Sequence, residues 1–257
     1  MIIASWNINS VRIRVNQVLE YIKKEKIDIL VLQEIKTEDK NFPYDDFNNA
    51  GYYSYSNGQK SYNGVAILSK KKLDINQTDF KDPLEQSRYI SADIKYKNKI
   101  FTLISIYLPN GNPINTEKYE YKKKWMDTFE TFIKTKIKKN NNIIITGDFN
   151  VIPEDNDVDN PEDWVNDALF KLEIRKKFRS LLSLGFKDGF RLFNQDARQY
   201  TFWDYQQGSW QRNKGLRIDH YLISNSMIEH LKNIEIDKYT RSNDKPSDHV
   251  PIRCILN

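Results

Sequence analysis

Short apolar runs that end in polar side chains recur along this chain, and each predicts a β-strand. In the clearest case, Ile143 to Ile145 precede the tetrapeptide Gly-Asp-Phe-Asn at positions 147–150. Three β-branched residues in succession are typical of a strand that is buried on both faces. Such a strand delivers the carboxylate of Asp148 and the amide of Asn150 at its C-terminal end. Gly147 leaves room there for a turn or a close approach by substrate.

The same pattern occurs near both ends of the chain. A predicted strand from Met1 to Trp6 ends in Asn7, and a predicted strand from Ile27 to Leu32 runs into Gln33 and Glu34. Near the C-terminus, residues 217–223 and 252–256 are strand-like. An amphipathic helix is predicted between the first two strands. Its apolar face consists of Val11, Val15, Val18, Leu19 and Ile22.

Length and composition indicate one large α/β domain over residues 1–257, because no linker, repeat or low-complexity segment divides the chain. The net charge of +5 is mildly basic. If the acidic side chains form one pocket, the surface around it must be more positive, as a DNA-binding rim requires. Three lysine-rich runs could belong to that rim, or could be solvated surface. They are 70–72, 122–124 and 134–139.

The single cysteine, Cys254, lies in an apolar run, which predicts a buried and inert thiol. A lone cysteine also excludes an intrachain disulfide and suits a reducing compartment. No apolar stretch approaches the roughly 20 residues of a membrane span, and the N-terminus enters a strand at once instead of a signal peptide. These features predict a cytoplasmic protein with no membrane partner.

A carboxylate beside a carboxamide at the mouth of an α/β sheet can hold a water or a metal against a phosphate. The order and spacing of eight motifs narrow the possibilities further, although each motif alone is weak. They are WNIN (6–9), LQEIK (32–36), YNGVAI (62–67), YLPNG (107–111), GDFN (147–150), TFWDY (201–205), GLRID (215–219) and SDH (247–249).

From Ile2 to Ile255 the chain resembles the exonuclease III branch of the endonuclease/exonuclease/phosphatase superfamily. The resemblance implies a four-layer α/β sandwich, with two mixed β-sheets packed face to face and flanked by helices. It also implies a Mg²⁺-dependent nuclease of base excision repair that cleaves DNA at abasic sites and at 3′ ends. Its activities would include 3′-5′ exonuclease and 3′-phosphatase, its partner would be double-stranded DNA, and it would be a monomer.

Two alternatives remain open at this stage. One is a phosphodiesterase or phosphatase of the same superfamily that acts on a small or lipid phosphoester. The other is a nucleic-acid-binding regulator that kept the fold and lost the chemistry. Substitutions at the predicted catalytic positions would indicate the second alternative, and none is present.

The resemblance also implies a hard divalent cation, Mg²⁺ with Mn²⁺ as a substitute, because the motifs offer oxygen ligands. Glu34 is the leading candidate ligand. The alternative is that Glu34 is an ordinary surface acid at the end of a strand. Relatives often carry aspartate where Asn9 stands, so this site would hold one negative charge less. The predicted ligands are Asn7, Asn9, Glu34, Asp148, Asn150 and Asp248.

For catalysis, the resemblance implies Asp148 as general base, with Asn150 fixing its geometry; protonation of the leaving group by Asp148 is an alternative. His249 would contact the scissile phosphate, oriented by Asp219, whose charge would keep the histidine cationic. Tyr107 would also contact the phosphate. By contrast, a structural role is predicted for His220 and a helix-surface position for His230.

The remaining predicted residues bind substrate. Asn110 would lie near the phosphate, while an apolar pocket would admit a flipped sugar without a base and refuse a nucleotide. Ordinary core packing is the alternative for its three residues. They are Phe202, Trp203 and Leu216. Tyr62 and Arg88 are candidates for contacts in the DNA grooves.

Overall fold

The computed structural model describes residues 1–257 and contains twelve β-strands and four α-helices. The helices are α1 (Val15–Lys24), α2 (Tyr44–Asn49), α3 (Glu117–Lys139) and α4 (Leu172–Ser183). The strands of the N-terminal half are β1 (Ile2–Asn7), β2 (Ile29–Gln33), β3 (Tyr53–Asn57), β4 (Val65–Ser69), β5 (Asp74–Asn76), β6 (Tyr89–Tyr96) and β7 (Lys99–Tyr107). Those of the C-terminal half are β8 (Ile143–Asp148), β9 (Phe186–Asp188), β10 (Asp219–Ser224), β11 (Leu231–Ile236) and β12 (Ile252–Leu256).

The strands form two six-stranded sheets, with the orders β11-β12-β1-β2-β4-β3 and β5-β6-β7-β8-β10-β9. Each sheet contains one parallel pair at its centre, β1 with β2 and β7 with β8, and antiparallel pairs elsewhere. Both sheets are therefore mixed. Since parallel strands end at the same sheet edge, Asn7, Glu34, Tyr107 and Asp148 are delivered to one end of the molecule.

The hydrophobic core has three main parts, one between each pair of layers. Ile144 of β8 faces the other sheet, where it joins residues such as Ile3 and Val31. Ile143 and Ile145 face the opposite side and pack under α3 and α4. A third cluster lies between the first sheet and α1 and α2. This arrangement confirms the predicted four-layer sandwich and explains why β8 is apolar on both faces.

Some predictions of local structure need correction. Val11 is buried but precedes α1, which begins at Val15. His230 lies at the end of a 3₁₀ helix, with its ring against Tyr96, and not on an α-helical surface. Cys254 is buried, as predicted. None of the helices combines the length and the apolar character that a membrane crossing requires.

The lysine-rich runs do not line the end of the molecule where the polar strand ends meet. Residues 70–72 follow Ser69, which pairs with Ile29 at the opposite end of β2. The run 134–139 ends α3 just before Ile143, where β8 begins. Lys122 is fully buried. The runs 70–72 and 134–139 therefore do not belong to a DNA-binding rim at the site end, because the sheet register directs them away, and packing turns Lys122 inward.

Candidate active site

Asn7 is the central hydrogen-bond donor of the site. It is fully buried at the end of β1, and its Nδ2 donates to Glu34 Oε1 at 2.8 Å and to Asp148 Oδ2 at 2.9 Å. Glu34 directly follows β2, where the chain turns with a positive φ of 50°. One amide thus holds carboxylates from both sheets side by side, which explains why an amide is useful at the end of β1.

Asp148 lies between two neighbouring strands of its own sheet. It pairs with Tyr107 of β7 and with Asp219 of β10. Its other carboxylate oxygen, Oδ1, accepts the backbone N–H of Asn150 at 2.9 Å. The side chain of Asn150 is held as well, since its Nδ2 donates to the carbonyl of Leu108 and its Oδ1 accepts from Asn110. The GDFN segment is therefore fixed on all sides.

His249 and Asp219 form a buried pair, with Nδ1 and Oδ2 2.8 Å apart. The other ring nitrogen, Nε2, lies 3.7 Å from Asp148 Oδ2. Burial alone would lower the pKa of His249, but the carboxylates of Asp219 and Asp148 outweigh it and raise that pKa to about 10. His249 is therefore cationic at neutral pH and offers a donor toward the site.

The two site carboxylates differ in their proton affinity. Burial raises the pKa of Asp148 to about 7, and the charges of Asp219 and Glu34 add to the rise while His249 opposes it. Burial also disfavours the charge of Glu34, but Lys36, the amide of Asn7 and His249 together lower its pKa. Glu34 thus remains ionised, whereas Asp148 is poised to exchange a proton near neutrality.

Ligand atoms of Glu34, Asp148 and His249 lie within 4.8 Å of one another. Because His249 is cationic, the two carboxylates are the members of this cluster that suit a hard cation. Lys36 Nζ lies 2.7 Å from Glu34 Oε2 and 2.6 Å from Asn9 Oδ1, a contact that sequence reasoning missed although Lys36 belongs to the LQEIK motif. Each carboxylate oxygen keeps a second lone pair, so the acidic residues present fit a metal ion.

The other predicted ligands form a second group beside the first. Asn9 Nδ2 donates to Asp248 Oδ1 at 3.1 Å and to the Tyr205 hydroxyl at 3.3 Å. Arg14, which lies beneath, donates to the carbonyls of Ile8 and Asn9 and to the same hydroxyl. Sequence reasoning missed Arg14 and Tyr205, because the contact between them joins residues 191 positions apart in the chain. The structure thus places two of the predicted metal ligands, Asn9 and Asp248, in direct contact.

Tyr107 and Arg88 close another side of the site. The guanidinium carbon of Arg88 lies 4.6 Å from the centre of the Tyr107 ring, and Arg88 Nη1 donates to the Tyr107 carbonyl. Burial raises the pKa of Tyr107 well above its ordinary value, and the charges of Glu34 and Asp148 add to this while Arg88 opposes it. The tyrosine hydroxyl is therefore a stable hydrogen-bond donor.

Two residues of the predicted apolar pocket, Phe202 and Leu216, lie beside His249 or next to a residue that does. The backbone of Phe202 forms isolated antiparallel β-bridges with Leu216 and with His249. The centre of the Phe202 ring lies 5.0 Å from the centre of the His249 ring. Leu216 belongs to a small apolar cluster with Ile152, Val158 and Leu169. Trp203 is fully buried against Tyr200 and Trp210, which is the core packing that was its alternative role.

Two further residues lie outside this centre. Tyr62 is 71 % exposed in the loop between β3 and β4, at the same end of the molecule as the site. His220 is buried, with Nδ1 3.0 Å from Arg217 Nη1 and Nε2 2.9 Å from the Val151 carbonyl. The structural role predicted for His220 is confirmed.

The sequence profile of the Endonuclease/Exonuclease/phosphatase family matches residues 4–249. This chain belongs to that family. The exodeoxyribonuclease III of Haemophilus influenzae is 34 % identical to it, and the alignment covers 96 % of this chain and 97 % of that protein. The family membership predicted from the eight motifs is confirmed.

Solved structures of the family superimpose closely on this chain. A 3′ phosphatase from Neisseria, bound to a product DNA hairpin, has a TM-score of 0.94 at 34 % identity and covers 100 % of this chain and 99 % of its own. An AP endonuclease from Archaeoglobus fulgidus has the same TM-score, identity and coverage. The family relationship thus extends over the whole fold.

Proposed function

We propose that this protein is a metal-dependent DNA repair nuclease that hydrolyses phosphodiesters at abasic sites and phosphoesters at 3′ ends. The single observation that carries the proposal is the convergence of Glu34, Asp148 and the His249–Asp219 pair within one buried cluster. The exodeoxyribonuclease, 3′ phosphatase and AP endonuclease relatives support the same activity. A hydrolytic nuclease was also the prediction from the sequence.

A metal ion bound by Glu34 and Asp148 would supply positive charge to stabilise the phosphorus-centred transition state. The family is metal-dependent, and both side chains fit a hard cation. We propose Mg²⁺ as that cation, since oxygen ligands of this kind suit it, with Mn²⁺ able to substitute. A monomeric state and a cytoplasmic location are further parts of the proposal.

The protein's own residues then divide the remaining work. Asp148 accepts a proton from the attacking water, in a geometry that the Asn150 backbone fixes through Oδ1. His249, kept cationic by Asp219, and the protonated Tyr107 hydroxyl donate to the phosphate oxygens. Phe202 and Leu216 form the apolar wall against which a sugar without a base packs.

One panel of substrates tests this function. Three labelled duplexes carry a single abasic analogue, no lesion, or a 3′-phosphate, and each is incubated with Mg²⁺ and with EDTA. We expect cleavage at the analogue and removal of the 3′-phosphate with Mg²⁺, and loss of both with EDTA. Full activity in EDTA would contradict the metal assignment. Hydrolysis of a small phosphodiester without action on any duplex would favour the small-phosphoester alternative.

A further inference from the structure

Lys122 is a buried lysine to which the proposed chemistry gives no role. It lies in α3, and none of its surface is exposed. Burial of an ammonium group is costly unless its hydrogen bonds are made inside the protein. The neighbouring Lys123 and Lys124 remain accessible to solvent. A specific set of partners must therefore hold this one lysine inside.

Those partners are backbone carbonyls of two separate loops. Lys122 Nζ donates to the Asn110 oxygen at 2.9 Å and to the Asn150 oxygen at 2.6 Å. Asn110 follows β7 and Asn150 follows β8, so the two loops extend from the central parallel strands of the second sheet. A side-chain bond of 3.1 Å, from Asn110 Nδ2 to Asn150 Oδ1, joins the same loops. Lys122 Nζ thus joins the loop that follows Tyr107 to the loop that follows Asp148.

The absence of a side chain at Gly111 leaves room for the stem of Lys122. The residue has a φ of +86°, and a Cβ atom built on it would lie 2.5 Å from Lys122 Cδ and 3.1 Å from Lys122 Cβ. Any other residue at this position would collide with the lysine stem. The loop is also held on its far side, where Asn112 Nδ2 donates to both carboxylate oxygens of Asp167 at 3.1 and 3.0 Å.

The contact with Asn150 leads directly to the reacting group. Lys122 holds the Asn150 carbonyl, and the N–H of the same residue donates to Asp148 Oδ1. α3 is a rigid support for this arrangement, because Trp125 and Phe129 of the same helix are fully buried in the core. Displacement of the Asn150 backbone would therefore move the carboxylate that activates water.

We propose that Lys122 is a positioning residue for hydrolysis, which sets the spacing of the loops that carry Asn110 and Asn150 and so orients Asp148. It contacts neither substrate nor metal ion. The proposal rests on the proposed nuclease function.

The principal test is Lys122→Met, which keeps an unbranched stem one atom shorter than that of lysine but removes the N–H donors. The matched control is Lys123→Met, since Lys123 is the next residue on the helix and pairs with Glu120 at the surface. On a duplex with a tetrahydrofuran abasic analogue and saturating Mg²⁺, Lys122→Met should lower kcat on the order of 10- to 100-fold. KM should stay within about twofold, because the lysine does not meet DNA. The control should match the wild type.

Hydrogen exchange provides a readout that does not depend on activity. The backbone N–H groups of Asn112 and Asn150 bond to side chains within the two loops. Both should exchange faster in Lys122→Met, while amides of β1 and β2 keep their wild-type rates. A lysine with only a general structural role would lower the melting temperature and speed exchange throughout, leaving kcat unchanged below the transition.

The proposal is overturned if folded Lys122→Met retains wild-type kcat, or if kcat falls without faster exchange in the two loops. Should that variant fail to fold, Lys122→Gln, which carries an amide on a side chain one atom shorter than that of lysine, is judged by the same criteria. If wild-type protein cleaves none of the duplexes, the proposed function fails, and exchange still decides whether Lys122 orders these loops.

Discussion

At the scale of single residues, the site depends on groups whose charges the fold holds in fixed places. Asp148 and His249 are both almost fully buried, and their side chains approach to 3.7 Å. Neither could remain charged in this interior without the other, Asp219 and the surrounding amides. Their removal should therefore affect chemistry more than DNA binding.

We predict that Asp148→Asn and His249→Ala each lower kcat by at least about 10²-fold, the scale of a lost general base or transition-state contact. Duplex binding should largely persist in both variants, and in Asp148→Asn the removal of a carboxylate also reduces repulsion of phosphate. Single-turnover kinetics and a binding titration measure the two effects separately. His230→Ala is the control, because His230 follows the end of β10 that lies opposite Asp219. Near-normal turnover in either variant would remove that residue from the mechanism.

Phe202 permits a test of selectivity at the same scale. If its ring helps to wall a pocket for a sugar without a base, Phe202→Ala should lower the preference for abasic over intact duplex by roughly tenfold. The measured quantity is the ratio of kcat/KM on the two duplexes. Because truncation of a partly buried ring costs up to about 3 kcal/mol, a thermal melt must first show a folded variant. Phe193→Ala, which truncates an exposed ring, is the control. An unchanged ratio would place the selectivity elsewhere.

At the scale of elements, the close approach of β7 and β8 determines where Asp148 lies. Gly147 precedes that residue and has a φ of +136°. A Cβ atom on it would lie 2.0 Å from the Ile106 carbonyl oxygen, far inside van der Waals contact. The strand pair can keep its parallel register only with glycine at this position.

We predict that Gly147→Ala destabilises the protein by more than about 3 kcal/mol, through steric overlap and an unfavourable backbone angle together. Gly51→Ala is a matched control, because Gly51 also has a positive φ, +84°, but nothing within 4 Å of the added Cβ. Its cost should be about 1 kcal/mol. Denaturant unfolding compares the two variants. Equal losses would show that backbone angle, and not the contact with β7, governs position 147.

At the scale of the whole molecule, the positive charges that could meet DNA come from loops at the site end. Arg12 lies in the loop after β1, and Lys60 lies in the loop between β3 and β4. Lys245 also lies near the site, because its backbone carbonyl accepts a hydrogen bond from Arg14. The lysine-rich runs at the opposite end contribute to the net charge of +5 without facing this surface.

We predict that the logarithm of the duplex affinity falls linearly with the logarithm of salt concentration, through release of counterions from phosphates. Arg12→Gln should reduce the slope by roughly one, as expected for one lost phosphate contact. Lys71→Gln, at the opposite end of the first sheet, should leave the slope unchanged. A slope near zero for the wild type would favour a small phosphoester as substrate.

The sequence by itself determined the strands that carry the site motifs and, through the resemblance of those motifs, the family and its fold. Ile143 to Ile145 encode a doubly buried strand locally, and Glu34, Asp148 and Asp219 follow from motifs at strand ends. Cys254 and His220 were predicted to be buried because their apolar neighbours reveal the core. Such features can be predicted from the sequence because the residues that produce them are neighbours in the chain.

Only the tertiary structure decided which charged side chains meet. The lysine-rich runs look alike in the sequence, yet Lys122 turns inward because two distant loops present carbonyls to it. Lys36 binds both Glu34 and Asn9, and Tyr205 reaches Asn9 across 196 residues of chain. A hydrogen-bond partner that distant leaves no local pattern, because it depends on how the two sheets and their loops pack together.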